Sequence, residues 1–238
     1  MDARVAITGG ARGIGLALAK HFAARGAVVT IIDIDGDEAR RRAADLDRAI
    51  GIELDVSRTD ATMRFFQETA EPFDVVIANA GVSLPRTPAV DLTEPQWDWL
   101  IDHNLKGVFN TISSAAVRMR SEKHGGRIIA TASVASVVAE PGFAAYAAAK
   151  WGVLGLVKAM AMELVEDGIL VNAVCPGDVR TRFLDETAPP SASSGPLGRP
   201  ADVSEIVGIY DLLAGPAGSY LVGEAIVVDG GLSLTALA

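Results

Sequence analysis

Tyr146 and Lys150 stand four positions apart, with Ser133 a short way upstream. A phenol, an amine and a hydroxyl brought together can pass a proton to and from an alcohol oxygen. If the chain from Ala144 onward is helical, that spacing is about one turn and puts the phenol and the ammonium on one face. A fixed cation beside a tyrosine favours the ionised form, so the pattern predicts a lowered phenol pKa. Tyr and Lys at this spacing also occur in helices that catalyse nothing. The elements around the pair decide between the two readings.

Apolar, β-branched runs alternate with segments of helical period. Val5–Thr8, Val28–Ile32, Ile50–Leu54, Val75–Ala78, Arg127–Thr131, Leu170–Val174 and Ala225–Val228 read as strands. Continuous hydrophobic strands belong to a parallel sheet covered on both faces. The fold class expected is therefore α/β, a single-domain doubly wound Rossmann fold over residues 1–238 with a seven-stranded parallel sheet and helices on both faces. Two adjacent prolines and several small residues within Thr187–Gly198 mark a loop, so a short lid is expected around 178–200.

Directly after the first strand come Thr8, Gly9, Gly10, Ala11, Arg12, Gly13, Ile14 and Gly15, and then a helical pattern. A glycine-rich turn between strand and helix lets backbone N–H groups approach a pyrophosphate at the positive helix end. Asp33 closes the second strand at the distance expected of a ribose-binding acid. Its carboxylate can accept from both adenosine ribose hydroxyls and repels a 2′-phosphate, which favours NAD over NADP. Arg12 argues the other way, but Ile34 follows Asp33 and offers no second cation. Asp55 and Val56 follow the third strand, where an adenine would sit. Asp55 could equally cap a helix beginning near Thr59.

The chain of 238 residues is 50% hydrophobic and 21% charged, with a formal charge of −9 and a pI near 4.8. That balance argues against nucleic acid and anionic membranes and favours a small-molecule substrate. Cys175 is the single cysteine, so no internal disulfide forms, and His21, His103 and His124 are scattered and receive no role. No signal-peptide pattern or membrane span is seen, and a cytoplasmic setting is expected. The segments Tyr146–Leu164 and Trp97–Met119 are apolar nearly all the way round, so each must be covered on several sides. A homo-oligomer, tetramer or dimer, is expected to do part of the covering; a neighbouring helix of the same chain is the alternative.

These features resemble the short-chain dehydrogenase/reductase family. TGGARGIG is similar to its cofactor motif, and ANAG from Ala78 through Asn79 and Ala80 to Gly81 resembles its NNAG, with Ala78 departing from the pattern. Asn104 matches its helix-four asparagine, and Ser133 with YAAAK its catalytic serine and YxxxK. NAVCPG, ending in Pro176 and Gly177, and then Thr181 match the segment that borders the nicotinamide, with Val179 between them. The stretch from Gly177 to Gly198 is shorter than the family's usual lid.

The resemblance implies an NAD(P)-dependent enzyme acting on CH–OH groups, without a metal. It implies Tyr146 as general acid/base, and Lys150 as the group that lowers the phenol pKa and holds the nicotinamide ribose. It gives Ser133 as donor to the substrate oxygen and Asn104 as anchor of a water beside Lys150. On the residues alone, Ser133 could instead satisfy a buried backbone group, and Asn104 could mend a helix irregularity. The function expected is NAD(H)-dependent interconversion of a secondary alcohol and a ketone. An NADP-linked 3-oxoacyl-thioester reductase and a non-catalytic dinucleotide sensor are the alternatives. The substrate pocket is expected from Val82, Ser83, Leu84, Val134, Val138, Glu140, Phe143, Asp178 and Val179.

Overall fold

The structure is a computed structural model that describes residues 3–182, 184 and 195–235. Of the expected lid, residues 183 and 185–194 lie outside the described residues. Seven strands are present: β1 (Arg4–Thr8), β2 (Val28–Asp33), β3 (Ala49–Glu53), β4 (Val75–Ala78), β5 (Gly126–Thr131), β6 (Ile169–Pro176) and β7 (Ala225–Val228). They form one parallel sheet in the order β3-β2-β1-β4-β5-β6-β7. The expected strands fall within a residue or two of these limits, and the chain takes the doubly wound α/β form.

The continuous apolar character of the strands follows from burial on both sides. On one face, Ala6, Val76, Ala78, Ile128 and Val171 pack under α3 (Thr59–Glu68), α5 (Gly107–Ser121) and α6 (Ala144–Leu164) through Phe66, Ile112, Met119, Val153 and Val157. On the other, Val5, Ile7, Val29, Ile31 and Ile77 pack under α1 (Gly13–Ala24), α2 (Gly36–Ala44) and α7 (Val203–Ala214) through Leu18, Phe22, Ala39 and Tyr210. The strand order reverses between β1 and β4. In such a sheet the carboxyl ends of the strands open a crevice at that point.

The expected helix through Trp97–Met119 is not uniform. It divides into α4 (Glu94–Ile101), a π-helical turn at Asp102–Lys106, and α5. Asn104 sits in the π turn with no exposed surface, and its Nδ2 donates to Leu100 O at 3.1 Å. A side chain that competes for a helix carbonyl opens the ladder at that point. The chain ends its described portion in a short helix, α8 (Leu232–Thr235).

Candidate active site

The glycine turn is built on close approach. Gly9 has φ +61°, and a Cβ there would come within 2.8 Å of Ala80 Cα. A Cβ on Gly15 would lie 2.2 Å from Gly9 O, so the first turn of α1 can fold onto the loop only with glycine at this position. Thr8 Oγ1 accepts from the backbone N–H groups of Asn79 (3.0 Å) and Ala80 (3.1 Å). Asn79 Nδ2 returns bonds to Thr8 O (3.1 Å) and Gly9 O (3.2 Å). The loops after β1 and β4 are thus tied together at the switch point, beside the start of α1, where a helix leaves its first N–H groups without intrahelical partners.

Asp33 lies beside this turn. Its Oδ2 accepts from Ala11 N at 3.1 Å and its Oδ1 from Asp35 N at 3.1 Å. Arg12 is engaged by Asp35, Nη2 to Oδ2 at 2.7 Å. Asp55 does not cap α3, whose N-cap is Arg58. Its Oδ1 instead accepts from Ser57 N (2.9 Å) and Ser57 Oγ (2.7 Å), closing an Asx turn, and this makes the capping alternative wrong.

One cleft of about 620 Å³ joins these residues to the proton-handling group. Of the expected cofactor residues, Gly9, Arg12, Gly13, Ile14, Asp33, Asp55, Val56, Asn79, Ala80, Gly81, Pro176, Gly177, Val179 and Thr181 line it. Gly15 does not; it is buried under the turn, as its packing requires. A turn of backbone donors at a helix start, an acid at the second strand and two glycines that must lack Cβ suit a dinucleotide.

At the far end of the cleft, Ser133 follows β5, while Tyr146 and Lys150 lie in the first two turns of α6. Ser133 Oγ accepts from Ala135 N at 3.2 Å, and its hydroxyl is also bonded to Tyr146. The serine thus satisfies a backbone N–H, as its structural reading requires, and also reaches Tyr146. Lys150 Nζ lies 5.7 Å from the centre of the Tyr146 ring and donates to Thr131 O at 2.9 Å. Burial lowers the Lys150 ammonium to about 8.

The expected lowering of the Tyr146 pKa is reversed. The phenol is pushed up to about 12, chiefly by burial and further by the Glu140 carboxylate, while the Ser133 bond opposes both. The ammonium sits on the predicted face but turns to a carbonyl, so burial prevails. Asn104 also holds the loop after β4: Oδ1 accepts from Val82 N at 3.0 Å and Nδ2 donates to Val82 O at 2.8 Å. Gly81 separates it from Lys150; a Cβ there would lie 2.8 Å from Asn104 Oδ1 and 3.6 Å from Lys150 Nζ.

The remaining wall carries Val82, Ser83, Val134, Glu140, Phe143 and Asp178 as expected, but neither Leu84 nor the buried Val138. It also carries residues that the sequence did not point to: Arg86, Trp99 and His103. Arg86 pairs with Glu140 at 2.8 Å and stacks 4.6 Å from the centre of Phe143, whose ring lies 5.9 Å from that of Tyr146. His103 Nδ1 is 2.8 Å from Trp99 O one turn before it. The only available signal for these two was their helical spacing, i and i+4, just before Asn104.

The family described as Enoyl-(Acyl carrier protein) reductase matches residues 9–233. A short-chain type dehydrogenase/reductase from Mycobacterium marinum superposes with a TM-score of 0.89 at 33% identity, covering 97% of this chain and 95% of that one. The chain belongs to the short-chain dehydrogenase/reductase family. Like other short-chain dehydrogenases/reductases, it is an oxidoreductase acting on CH–OH groups. Among its relatives is the 3-oxoacyl-[acyl-carrier-protein] reductase MabA of Mycobacterium avium, 35% identical over 97% of this chain and 89% of that protein. A 3-ketoacyl-(acyl-carrier-protein) reductase from Brucella melitensis, solved in complex with NADH, superposes with a TM-score of 0.91 at 27% identity over 97% of this chain and 98% of that one. Among the described residues, no helix of this dehydrogenase/reductase is long and apolar enough to cross a membrane.

Proposed function

We propose that this protein is an NAD(H)-dependent oxidoreductase that interconverts a secondary alcohol and a ketone, as one domain with a short lid around 178–200. The observation that carries this reading is the single cleft that runs from Asp33 to Tyr146. Tyr146 gives its proton to the developing alkoxide in reduction and takes it back in oxidation. Ser133 donates to the same oxygen and, through its bond to Tyr146, fixes the distance between the two. Lys150, anchored by Thr131 O, presents its remaining N–H donors toward the cleft, where a ribose would be held. Asn104 keeps the loop after β4 in place beside Lys150. A bound nicotinamide supplies or accepts the hydride.

Asp33 and Asp35 stand together at the ribose end, and Arg12 is already paired with one of them. A 2′-phosphate would meet two carboxylates and a spent guanidinium, which supports NAD over NADP. The 3-oxoacyl-[acyl-carrier-protein] reductases among the relatives favour a second reading, a 3-oxoacyl-thioester reductase, which would be NADP-linked if Arg12 reached a 2′-phosphate. Steady-state rates with NADH and NADPH, each on a panel of secondary alcohols, ketones and 3-oxoacyl thioesters, separate the two. We expect preference for NAD(H) and turnover of simple alcohols or ketones. A clear NADPH preference confined to thioesters would establish the second reading instead.

The chain also leaves large apolar side chains exposed on α4, α5 and α6, among them Trp97, Phe109, Trp151 and Met162, the last with 76% of its surface free. Exposed apolar surface of this kind supports a homo-oligomer built through these helices. Trp151→Glu should shift the protein to a smaller species in sedimentation; an unchanged mass would count against this face.

A further inference from the structure

We propose that Tyr210 and Thr131 are positioning residues that hold the glycine turn ready for a dinucleotide, an inference that rests on the dinucleotide reading of the cleft. Tyr210 projects from α7 into the core with no exposed surface. Its neighbours are apolar: Ile7, Val174, Ile206 and Leu213 belong to the same cluster. A phenylalanine would fill such a place without a polar atom to satisfy. A buried tyrosine hydroxyl must find a partner, and this one finds Thr131 Oγ1 at 2.8 Å.

Thr131 Oγ1 in turn lies 3.1 Å from Asn79 Oδ1, and Asn79 Nδ2 bonds Thr8 O and Gly9 O. The direction of every proton follows. The amide Nδ2 must be the end that faces the two carbonyls, since an oxygen there would meet only acceptors. Asn79 Oδ1 then faces Thr131 and can only accept, so Thr131 donates. Its one proton is thereby committed, and Tyr210 must donate to Thr131. The result is a one-way chain, Tyr210 to Thr131 to Asn79 to the carbonyls of the turn. It is fully buried at Tyr210, and only 8% of Thr131 is exposed. Burial holds the Tyr210 phenol well above its ordinary value, so the donor keeps its proton across the working pH range.

This chain fixes which way the Asn79 amide points. If Oδ1 loses its donor, the amide is free to rotate, and Thr8 O and Gly9 O lose theirs. Gly9, in the left-handed region at φ +61°, is then held by less. Thr131 has a second task, because its carbonyl accepts from Lys150 Nζ. One residue thus joins α7, the turn and the lysine, although it touches no reacting atom.

The test uses the full-length protein and three variants, Tyr210→Phe, Thr131→Val and Thr131→Ser. Binding of NADH and of NADPH is read by fluorescence titration, and amide hydrogen exchange of the Gly9–Gly15 turn is read in the protein alone. Loss of one buried neutral hydrogen bond corresponds to about three- to tenfold in an equilibrium constant. Tyr210→Phe and Thr131→Val should weaken dinucleotide binding by about that factor and speed exchange of the turn amides similarly. Thr131→Ser, which keeps the hydroxyl, should stay close to the parent. In Tyr210→Phe, which lies outside the cleft, the rate at saturating dinucleotide should change less than about twofold, since no reacting group is altered. If Tyr210→Phe is folded and lowers the melting temperature but leaves both binding and turn exchange unchanged, the residue is merely structural and the proposal is overturned. If the parent binds neither dinucleotide, the reading of the cleft fails and this proposal with it; binding by the parent that is matched by all three variants overturns this proposal alone.

Discussion

Asn104→Ala tests whether the π turn and the loop after β4 depend on one side chain. Asn104 makes three bonds at 2.8–3.1 Å, to Val82 N, Val82 O and Leu100 O, from a position with no exposed surface. Alanine removes all three. Leu100 O keeps the possibility of a helical partner through its second lone pair, so the cost is dominated by the two groups of Val82. Each of the two groups would cost about 1–3 kcal/mol if fully buried, and both bonds are only part-buried, so we expect a loss somewhat below that sum, about 2–5 kcal/mol. For a chain of this size, each kcal/mol moves the melting temperature by about 2–4 °C, which gives a fall of about 4–20 °C. Relaxation of the π turn to ordinary helix would also change the register between α4 and α5 by one residue. Trp99 and His103 would leave the cleft wall, so the Michaelis constant for the alcohol should rise as well. Urea and thermal unfolding followed by circular dichroism, with steady-state kinetics on the folded fraction, measure both effects. A melting temperature within about 2 °C of the parent, with unchanged kinetics, would refute the reasoning.

Two further outcomes concern the proton. Tyr146→Phe keeps the ring beside Phe143 and Lys150 and removes the proton carrier, so kcat should fall by about 10²–10⁴ while NADH binding stays within about twofold; retained turnover would remove Tyr146 from its role. Glu140 raises the Tyr146 pKa, because a carboxylate disfavours a second negative charge nearby. Glu140→Gln should therefore move the acidic limb of alcohol oxidation to lower pH, and Arg86→Met, which strips Glu140 of its partner at 2.8 Å, should move it to higher pH. Shifts of the same sign in both variants would show that the pair acts by shape rather than charge.

The sheet was legible because parallel strands must be apolar on both faces, and runs such as VVTIID and VVIA admit little else. The glycine turn was legible for a related reason: at Gly9 and Gly15 any Cβ collides with backbone. What escaped were contacts between loops remote in sequence. Arg86 meets Glu140 across 54 positions, and Thr131 meets Tyr210 across 79. Neither pair leaves a periodicity or a motif. Asn104 was legible as a polar residue at a helix irregularity, which the π turn bears out, but its hold on Val82 across 22 positions was in neither reading.

Tyr146 and Lys150 show why spacing alone misjudged the electrostatics. Helical period determines which face a side chain leaves from, but not which acceptor a four-carbon stem will reach. Lys150 reaches Thr131 O, a carbonyl placed there by the end of β5, and its charge is spent on that dipole. The phenol, left with Ser133 and the distant field of Glu140, rises from 10.0 to about 12, which corresponds to about 3 kcal/mol against the phenolate. One positive charge about 6 Å away, at an effective dielectric of about 20, is worth about the same amount. The protein by itself therefore holds Tyr146 as a proton donor, the form that reduction of a ketone consumes. Oxidation of an alcohol needs the phenolate, which a further positive charge in the cleft, added to that of Lys150, would favour. The two directions of one reaction should then differ in how steeply they depend on pH, with the oxidation rate rising over the range in which the reduction rate is flat.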